Sequence, residues 1–262
     1  MPDPALLHNL LDMIRARPIE RLFVLGICGA QGSGKSTLVA ALADRLAREG
    51  IAAAMLSLDD LYRTRAERQA LAREVHPLFA TRGVPGTHDV ALGLEVVDAL
   101  ARGEGAALPR FAKGQDDRLP RSAWPLAPAA TQVLLLEGWC LGARPQDPAA
   151  LAEPANALEA QEDPGGIWRR HANAALAGPY QDLFARIDRL VLLAAPDWQV
   201  VAQWREQQEA ELRATGAALA MTGAEVQRFI QHYERLTRWI LLEMPQRADL
   251  VVQLDHARGI VA

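Results

Sequence analysis

The sequence predicts an α/β fold with a doubly wound, mainly parallel, five-stranded sheet, helices on both faces and a helical lid. Five apolar runs indicate the strands, and they are continuous rather than alternating, as is typical of strands buried on both faces of a parallel sheet. Stretches with helical periodicity separate them, which implies right-handed crossovers. The strands are predicted at residues 22–28, 51–58, 132–136, 189–194 and 250–254, and the helices at 37–49, 61–73, 88–102, 198–213 and 225–242.

Composition limits the class of protein. With 262 residues, 50% of them hydrophobic, the chain can bury the core of one large domain spanning residues 1–262. A net charge of −4 gives no overall attraction to nucleic acid or anionic lipid. No apolar run approaches the ~18 residues of a membrane span. We therefore expect a monomer or homodimer with a small-molecule partner and with no nucleic-acid or membrane partner.

The N-terminal segment and the cysteines indicate the compartment. Residues 1–20 predict an amphipathic helix packed on the domain, and they lack the pattern of a secretory signal. Cys28 and Cys140 are too few for a disulfide framework, so we expect them to be reduced thiols in the core. Together these features predict a cytoplasmic protein.

The most specific motif follows the first predicted strand. Residues Gly29-Ala30-Gln31-Gly32-Ser33-Gly34-Lys35-Ser36 spell G-x-x-x-x-G-K-S, and a helical pattern continues from Thr37. A strand, a glycine-rich turn and a helix make backbone N–H groups converge at the positive end of the helix dipole, where phosphate binds. Lys35 adds a mobile charge for the β- and γ-phosphates, and the Ser36 hydroxyl suits a Mg²⁺ ligand. The motif predicts that residues 29–37 bind a nucleoside triphosphate.

Two carboxylates follow the second predicted strand, in Ser57-Leu58-Asp59-Asp60-Leu61-Tyr62. Ligands of doubly wound sheets bind beyond the carboxyl ends of the strands, so an acid here can accept the proton of a substrate hydroxyl and hold hydrated Mg²⁺. The structural alternative is an N-cap for the helix predicted from Leu61. Asp60 fits the cap, and Asp59, nearer to the strand, is the candidate base.

A third acid ends the strand Val133-Leu134-Leu135-Leu136-Glu137, which is the pattern of a Walker B site. Such an acid contacts the magnesium ion directly or through water. The alternative is Asp188, but it precedes its strand and is therefore expected at the opposite end of the sheet. Glu137 is the preferred residue.

Candidate acceptor-binding residues lie in two loops. In Arg82-Gly83-Val84-Pro85-Gly86-Thr87-His88-Asp89, a rigid turn presents Arg82 next to a helix start, where Arg and His can hold an anion. Thr87 as the helix cap and Asp89 in its first turn are the structural alternatives. A proline-rich segment, residues 103–130, is predicted to be a substrate-side loop, and its Lys113 and Arg118 are either ligands or solvated charges.

Two further segments complete the chain. Residues 142–166 predict a surface insertion with one weak helix and no assigned function. Residues 198–222 predict a lid, because a helical arginine can stabilise transition-state charge while the lid excludes water. Arg205, Glu209 and Arg213 share one helical face, which equally fits a salt-bridged surface helix. Residues 214–220 are the predicted hinge, and Thr222 with Glu225 predicts a capping box.

Together these motifs resemble the glycerate kinase branch of the P-loop small-molecule kinases, a group that includes phosphoribulokinase, uridine kinase and pantothenate kinase. The resemblance implies a P-loop NTPase fold, ATP and Mg²⁺ as cofactors, and Asp59 as the catalytic base. Leu61 departs from the pattern where an aromatic residue is usual, and Ala112 departs where an acid often follows. The resemblance covers about residues 22–254 and rests on the motifs at residues 29–37, 57–62, 82–89, 108–113, 136–142 and 204–209.

The expected function is ATP-dependent phosphorylation of a hydroxyl of a small anionic metabolite, with D-glycerate as the leading candidate. Lys35, Asp59, Glu137 and Arg205 are the expected catalytic residues, and Ser36, Asp59 and Glu137 the expected metal ligands. Tyr62, Arg82, His88 and Lys113, with Asp59, are expected to bind the acceptor. The alternative is a nucleotide-dependent switch or assembly factor, but the chain lacks the Asn-Lys-x-Asp guanine signature of most such GTPases.

Overall fold

The computed structural model of the protein describes residues 3–17, 21–214 and 221–261. The strands of the described residues are β1 (Phe23–Gly29), β2 (Ala53–Ser57), β3 (Ala106–Ala107), β4 (Phe111–Ala112), β5 (Asp117–Arg118), β6 (Leu126–Ala127), β7 (Val133–Gly138), β8 (Arg189–Ala194) and β9 (Leu250–Gln253). Five of them form one parallel sheet in the order β2-β7-β1-β8-β9, which confirms the predicted fold class.

The helices of the same residues surround this sheet. None of them is long and apolar enough to cross a membrane. They are α1 (Pro4–Arg15), α2 (Lys35–Arg48), α3 (Arg65–Glu74), α4 (Val90–Ala101), α5 (Ala157–Glu162), α6 (Ile167–Ala177), α7 (Pro179–Phe184), α8 (Trp198–Ala214) and α9 (Gly223–Glu243). The sequence patterns did not single out α6 and α7.

The centre of the sheet is buried on both faces, which explains its continuous apolar runs. Every residue of β1 and β7 is buried. Cys28 and Cys140 are free thiols within this core, as predicted, and burial raises the pKa of Cys28 to about 12. The register pairs Ser57 of β2 with Glu137 of β7, so the residues that follow β2 lie beside the end of β7.

The predicted N-terminal helix is present as α1. Asp3 caps it by accepting a hydrogen bond from the backbone N–H of Leu6 at 2.9 Å, and one apolar face packs into the core. Residues 1–2 and 18–20 of the predicted span lie outside the described residues. So does most of the predicted hinge, residues 215–220, whereas the capping box of Thr222 and Glu225 at the start of α9 is confirmed.

Two predicted helix starts are wrong. Residues 58–61 form a 3₁₀ turn capped by Ser57, and α3 begins only at Arg65 after a capping box on Thr64. The next long helix, α4, is capped by Asp89, whose carboxylate accepts a hydrogen bond from the Leu92 N–H at 3.2 Å. Thr87 instead turns inward, because its hydroxyl donates to the carbonyl of Val84 at 2.7 Å.

The two irregular segments contain more structure than the sequence indicates. Within residues 103–130, β3 pairs with β6 and β4 pairs with β5, each antiparallel. Residues 142–166 contain α5 and a 3₁₀ turn, and they dock on α9 through a buried ion pair of 2.6 Å between Glu159 and Arg235. The segment thus contains one short α-helix, and its side that carries Glu159 is buried against α9.

Candidate active site

The phosphate loop joins the carboxyl end of β1 to the start of α2. Gly32 and Gly34 have φ of 79° and 88°, a left-handed conformation that favours glycine. A Cβ on Gly29 would lie 2.7 Å from Ser33 Oγ, whereas a Cβ on Gly34 would meet nothing within 4 Å. The backbone therefore curls tightly and leaves space in front of the helix.

The start of α2 fits a phosphate. Gly34 is its N-cap and provides no side-chain acceptor, so the first N–H groups of the helix have no cap. The buried Ser33 hydroxyl has no hydrogen-bond partner among the described residues. Lys35 Nζ lies 3.4 Å from the carbonyl oxygen of Ala30, so the ammonium group folds back over the loop. This arrangement is complementary to a polyphosphate chain.

Ser36 and Glu137 form the oxygen pair at the end of β7. The Ser36 hydroxyl donates a hydrogen bond to Glu137 Oε1 at 2.9 Å. Among the described residues no group of three or more His, Cys, Asp or Glu could hold a metal by itself. Two protein oxygens fit Mg²⁺, which usually keeps several waters and takes further ligands from substrate phosphates.

Asp188 lies at the other end of the sheet, as the sequence predicts. Its carboxylate accepts a hydrogen bond from the Val24 N–H at 2.8 Å and pairs with Arg21 at 2.6 Å. Because Val24 is near the start of β1, this acid is at the end opposite to the phosphate loop. The structure thus favours Glu137 over Asp188 as the Walker B acid.

Asp59 follows β2 and is held by two neighbours. Tyr62 donates its hydroxyl proton to Asp59 Oδ1 at 2.9 Å, and Lys113 Nζ lies 2.7 Å from Asp59 Oδ2. Burial raises the pKa of Asp59, but the Lys113 charge and hydrogen bond, with help from Lys35 and Tyr62, outweigh it and lower the pKa to about 2. The carboxylate is therefore ionised at neutral pH and able to accept a proton.

Asp60 does not cap a helix, so that prediction is wrong. Its carboxylate accepts hydrogen bonds from the Phe111 N–H at 3.0 Å and from Arg110 at 3.2 Å. A carboxylate can satisfy distant donors as readily as a helix start, and here tertiary contacts determine its partners. Asp60 thereby fixes the β4–β5 hairpin against the turn that carries Asp59.

Arg82 is anchored on one side only. Its Nη1 donates to the carboxylate of Asp116, which also pairs with the fully buried Arg68 at 2.6 Å. Both guanidinium groups lie against the Phe111 ring, at 5.4 Å for Arg68 and 5.6 Å for Arg82. Among the described residues, Nε and Nη2 of Arg82 have no hydrogen-bond partner, so this edge of the guanidinium group remains available.

The backbone next to Arg82 is fixed from α9. The Tyr233 hydroxyl donates a hydrogen bond to the carbonyl of Arg82 at 3.1 Å. Gly83 has a φ of 145°, and any Cβ there would collide with the Tyr233 ring and hydroxyl. Glycine is therefore required at this point for the loop to approach α9.

His88 is buried, with 1% of its surface exposed. The Tyr180 hydroxyl accepts a hydrogen bond from the Gly86 N–H at 2.9 Å, so its own proton is free for His88 Nδ1 at 2.6 Å. Burial lowers the pKa of His88 to about 3, so the ring is neutral. It stacks on the Tyr62 ring at a centroid distance of 4.5 Å and so holds that ring in place.

The remaining charged candidates are paired. Arg118 forms an ion pair with Asp89 at 3.1 Å and donates to the Tyr62 carbonyl. On α8, Arg205 pairs with Glu209 and lies 5.7 Å from the Phe229 ring. Arg213 does not share Glu209, because it pairs with Glu206 at 2.5 Å instead.

Several residues of the site escape sequence reasoning. Arg68, Tyr180 and Tyr233 lie within helices and at no recognisable motif. Asp116 belongs to the charged segment 113–118, but nothing in the sequence connects it with Arg82. Its φ of 53° is unusual for a residue other than glycine and becomes visible only in the structure.

Comparisons with known proteins agree with this geometry. Residues 24–143 match the Phosphoribulokinase / Uridine kinase family. An uncharacterized kinase, mug58, of Schizosaccharomyces pombe is 39% identical over 227 residues, which are 83% of this chain and 80% of that protein. The chloroplastic D-glycerate 3-kinase of Arabidopsis thaliana is 33% identical over 256 residues; the match covers 90% of this chain but only 53% of that longer protein.

A solved structure supports the fold. The D-glycerate 3-kinase of Cryptococcus neoformans var. grubii superimposes with a TM-score of 0.81 and 24% identity, covering 99% of each chain. The parallel sheet and the phosphate loop described above agree with this shared fold. The chain belongs to the Phosphoribulokinase / Uridine kinase family and is an ATP-dependent small-molecule kinase.

Proposed function

We propose that this kinase phosphorylates a hydroxyl of a small anionic metabolite, and that D-glycerate is its acceptor. One observation carries the proposal: the ionised Asp59 and the free edge of Arg82 flank the same aromatic pair. Tyr62 donates a hydrogen bond to Asp59 and packs edge-on against Phe111 at 5.3 Å, and the Arg82 guanidinium group lies over the same Phe111 ring, 5.6 Å from its centroid. A proton acceptor and an anion-binding group thus belong to one small site.

D-Glycerate fits both groups, since it carries a carboxylate and a primary hydroxyl a few bonds apart. In our proposal the free Nε–Nη2 edge of Arg82 binds the carboxylate in the bidentate geometry that arginine favours. Lys113 moves from Asp59 to the acceptor, and Tyr62, supported by His88, orients it. The Arabidopsis relative that is named D-glycerate 3-kinase supports this choice of acceptor.

The remaining residues serve the phosphoryl transfer. Residues 29–37 bind ATP, Lys35 contacts its β- and γ-phosphates, and Ser36 with Glu137 and Asp59 organises Mg²⁺, directly or through water. Asp59 accepts the proton of the attacking hydroxyl while the bond from its oxygen to the γ-phosphorus forms and the bond to the ADP oxygen breaks. Arg205 on α8 stabilises the charge that develops on the transferred group. ATP with Mg²⁺ supplies the phosphoryl group and neutralises its charge.

The test is ADP release by the purified chain with Mg·ATP and D-glycerate, together with identification of the product by phosphorus NMR. We expect D-glycerate to stimulate ADP release well above bare hydrolysis and to yield a phosphomonoester of glycerate. L-Glycerate and glycerol are matched controls, because they change the stereochemistry and remove the carboxylate. Equal rates with glycerol would contradict an anionic acceptor, and no stimulation by any small hydroxy acid would contradict the proposal as a whole.

A further inference from the structure

Arg258 is held in an unusual backbone conformation by the turn that follows β9. Its φ is 69°, and the only other residue besides glycine with a positive φ in the described part of the chain is Asp116. The turn is built by Asp255, whose carboxylate accepts hydrogen bonds from the N–H groups of Ala257 at 2.8 Å and Gly259 at 2.7 Å. Glycine would adopt this φ without strain, so an arginine here indicates that the side chain is needed.

The Arg258 side chain reaches the phosphate loop. Its Nε donates a hydrogen bond to the carbonyl oxygen of Gly32 at 2.7 Å, and its Nη1 donates to Gln207 Oε1 at 3.0 Å. The guanidinium group stacks over the Trp204 ring, 5.3 Å from its centroid. One cation therefore joins three segments: the C-terminal turn, α8 and the phosphate loop.

Arg258 contacts the phosphate loop at Gly32, where the backbone conformation is tightly restricted. Gly32 itself has a left-handed φ, and a Cβ there would lie 2.7 Å from Trp204 Cβ. Holding its carbonyl sets the plane of the peptide between Gly32 and Ser33. The Ser33 N–H then closes the curl of the loop by donating to the Ala30 carbonyl at 3.2 Å. This curl sets the path along which the loop approaches the phosphates.

Trp204 is itself fixed by the same turn. Its indole N–H donates to the carbonyl of His256 at 2.9 Å, and the residue is 2% exposed. Arg205, the lid arginine, is the next residue on α8. Arg258 thus lies where the shape of the phosphate loop and the position of α8 are set together.

We infer that Arg258 is a positioning residue that holds the phosphate loop in its phosphate-binding shape and joins it to α8. Arg258 affects the binding of a nucleotide's phosphate chain indirectly, by holding the Gly32 carbonyl, and does not itself contact the phosphates. The inference rests on nucleotide binding at the loop and not on the identity of the acceptor. A lost arginine should therefore weaken phosphate binding more than it weakens the fold.

The test is calorimetric binding of Mg·ADP and of Mg·pyrophosphate to the full chain. Arg258→Gly removes the side chain and suits the positive φ, so it separates the loss of contact from backbone strain. We expect Kd to rise about tenfold for both ligands, because the phosphates must then order a loop that Arg258 no longer holds in shape. Arg258→Lys should recover part of the affinity, because an ammonium keeps the charge but not the planar stack on Trp204.

Arg228→Ala is the control, since it removes an exposed arginine of α9 that pairs with Glu162. It should leave both Kd values unchanged. Two results would overturn the inference: an unchanged Kd in Arg258→Gly, whether or not the Tm of the ligand-free protein falls, or weaker binding of Mg·ADP alone. The last result would show that Arg258 contacts the nucleoside instead.

Discussion

Lys113 Nζ lies 2.7 Å from Asp59 Oδ2, so the cation proposed to bind the acceptor is paired with the carboxylate proposed to receive its proton. The two side chains differ in exposure, because Lys113 is 63% exposed and Asp59 is 30% exposed. Lys113 is thus the partner that can leave. An arriving anion would attract Lys113, and its departure would make Asp59 a stronger base at the time when a base is needed.

This pairing predicts a pH effect. Lys113 helps to lower the pKa of Asp59 to about 2, so the free enzyme keeps its base ionised down to that pH. In Lys113→Met the pKa of Asp59 rises, and the acidic limb of the pH profile of kcat/KM moves to higher pH. Kinetics between pH 4 and 8 check this, because kcat/KM of the wild type should stay level down to pH 4 while that of Lys113→Met falls at the acidic end of the range. Arg65→Met, which replaces an exposed cation without an ion-pair partner among the described residues, is the control. An identical profile in Lys113→Met would show that the pair does not control the base.

Replacement of the adjacent acids Asp59 and Asp60 should change different kinetic constants. Asp59→Asn is expected to bind Mg·ATP normally but to lower kcat by about 10²–10⁴, the usual contribution of a positioned base. Asp60→Asn keeps an oxygen for the Phe111 N–H but weakens the attachment of the hairpin, so it should raise the acceptor KM more than it lowers kcat. Steady-state kinetics with both substrates varied distinguish the two. A larger loss of kcat in Asp60→Asn than in Asp59→Asn would make Asp60, and not Asp59, the catalytic base.

The metal position gives a third prediction. Glu137→Gln keeps the shape of the Walker B acid but removes its charge, so the Mg²⁺ concentration for half-maximal activity should rise. Asp188→Asn is the matched control at the other end of the sheet. It removes the charge that pairs with Arg21 and weakens the hydrogen bond from the Val24 N–H, so it should lower Tm without altering the Mg²⁺ requirement. A magnesium titration at saturating ATP measures both, and equal requirements in Glu137→Gln and the wild type would exclude Glu137 from the metal site.

The sequence predicted the parts of the site that are written in contiguous residues. The phosphate loop, Asp59 and Glu137 each lie at the end of a continuous apolar run, so the predicted strands alone place them at one edge of the sheet. Asp60 shows the limit of such reasoning, because capping and binding a distant backbone N–H require the same carboxylate. Which donor it meets depends on where the β4–β5 hairpin packs.

The acceptor side was less predictable for the same reason. Arg82, Asp116 and Tyr233 come from a loop, a hairpin and a helix that are far apart along the chain, and no local pattern relates them. The sequence also indicated His88 as an anion ligand, whereas packing against Tyr62 and Tyr180 buries it as a neutral ring. Tertiary contacts, which have no short-range signature, determine both outcomes.

The last prediction concerns Arg82 and its anchor. Arg82→Ala should raise the acceptor KM by about 10- to 150-fold, the value of a charge-assisted bond of roughly 1.5–3 kcal/mol, with ATP affinity nearly unchanged. Arg82→Lys should recover only part of the lost acceptor affinity, since an ammonium group has no bidentate edge. Asp116→Asn, which tolerates the positive φ, should also raise the acceptor KM because Arg82 loses its charged anchor.

A double-mutant cycle separates anchoring from an independent effect of Asp116. If Asp116 acts through Arg82, the combination of Asp116→Asn with Arg82→Ala should be no worse for the acceptor KM than Arg82→Ala alone. Tm is measured in parallel, because Asp116→Asn also removes the counter-charge of the buried Arg68. Asp117→Asn removes the neighbouring charge of the same hairpin and should leave the KM unchanged. Additive effects in the double variant would show that Asp116 contributes to the acceptor site without Arg82, and an unchanged KM in Arg82→Ala would remove Arg82 from that site altogether.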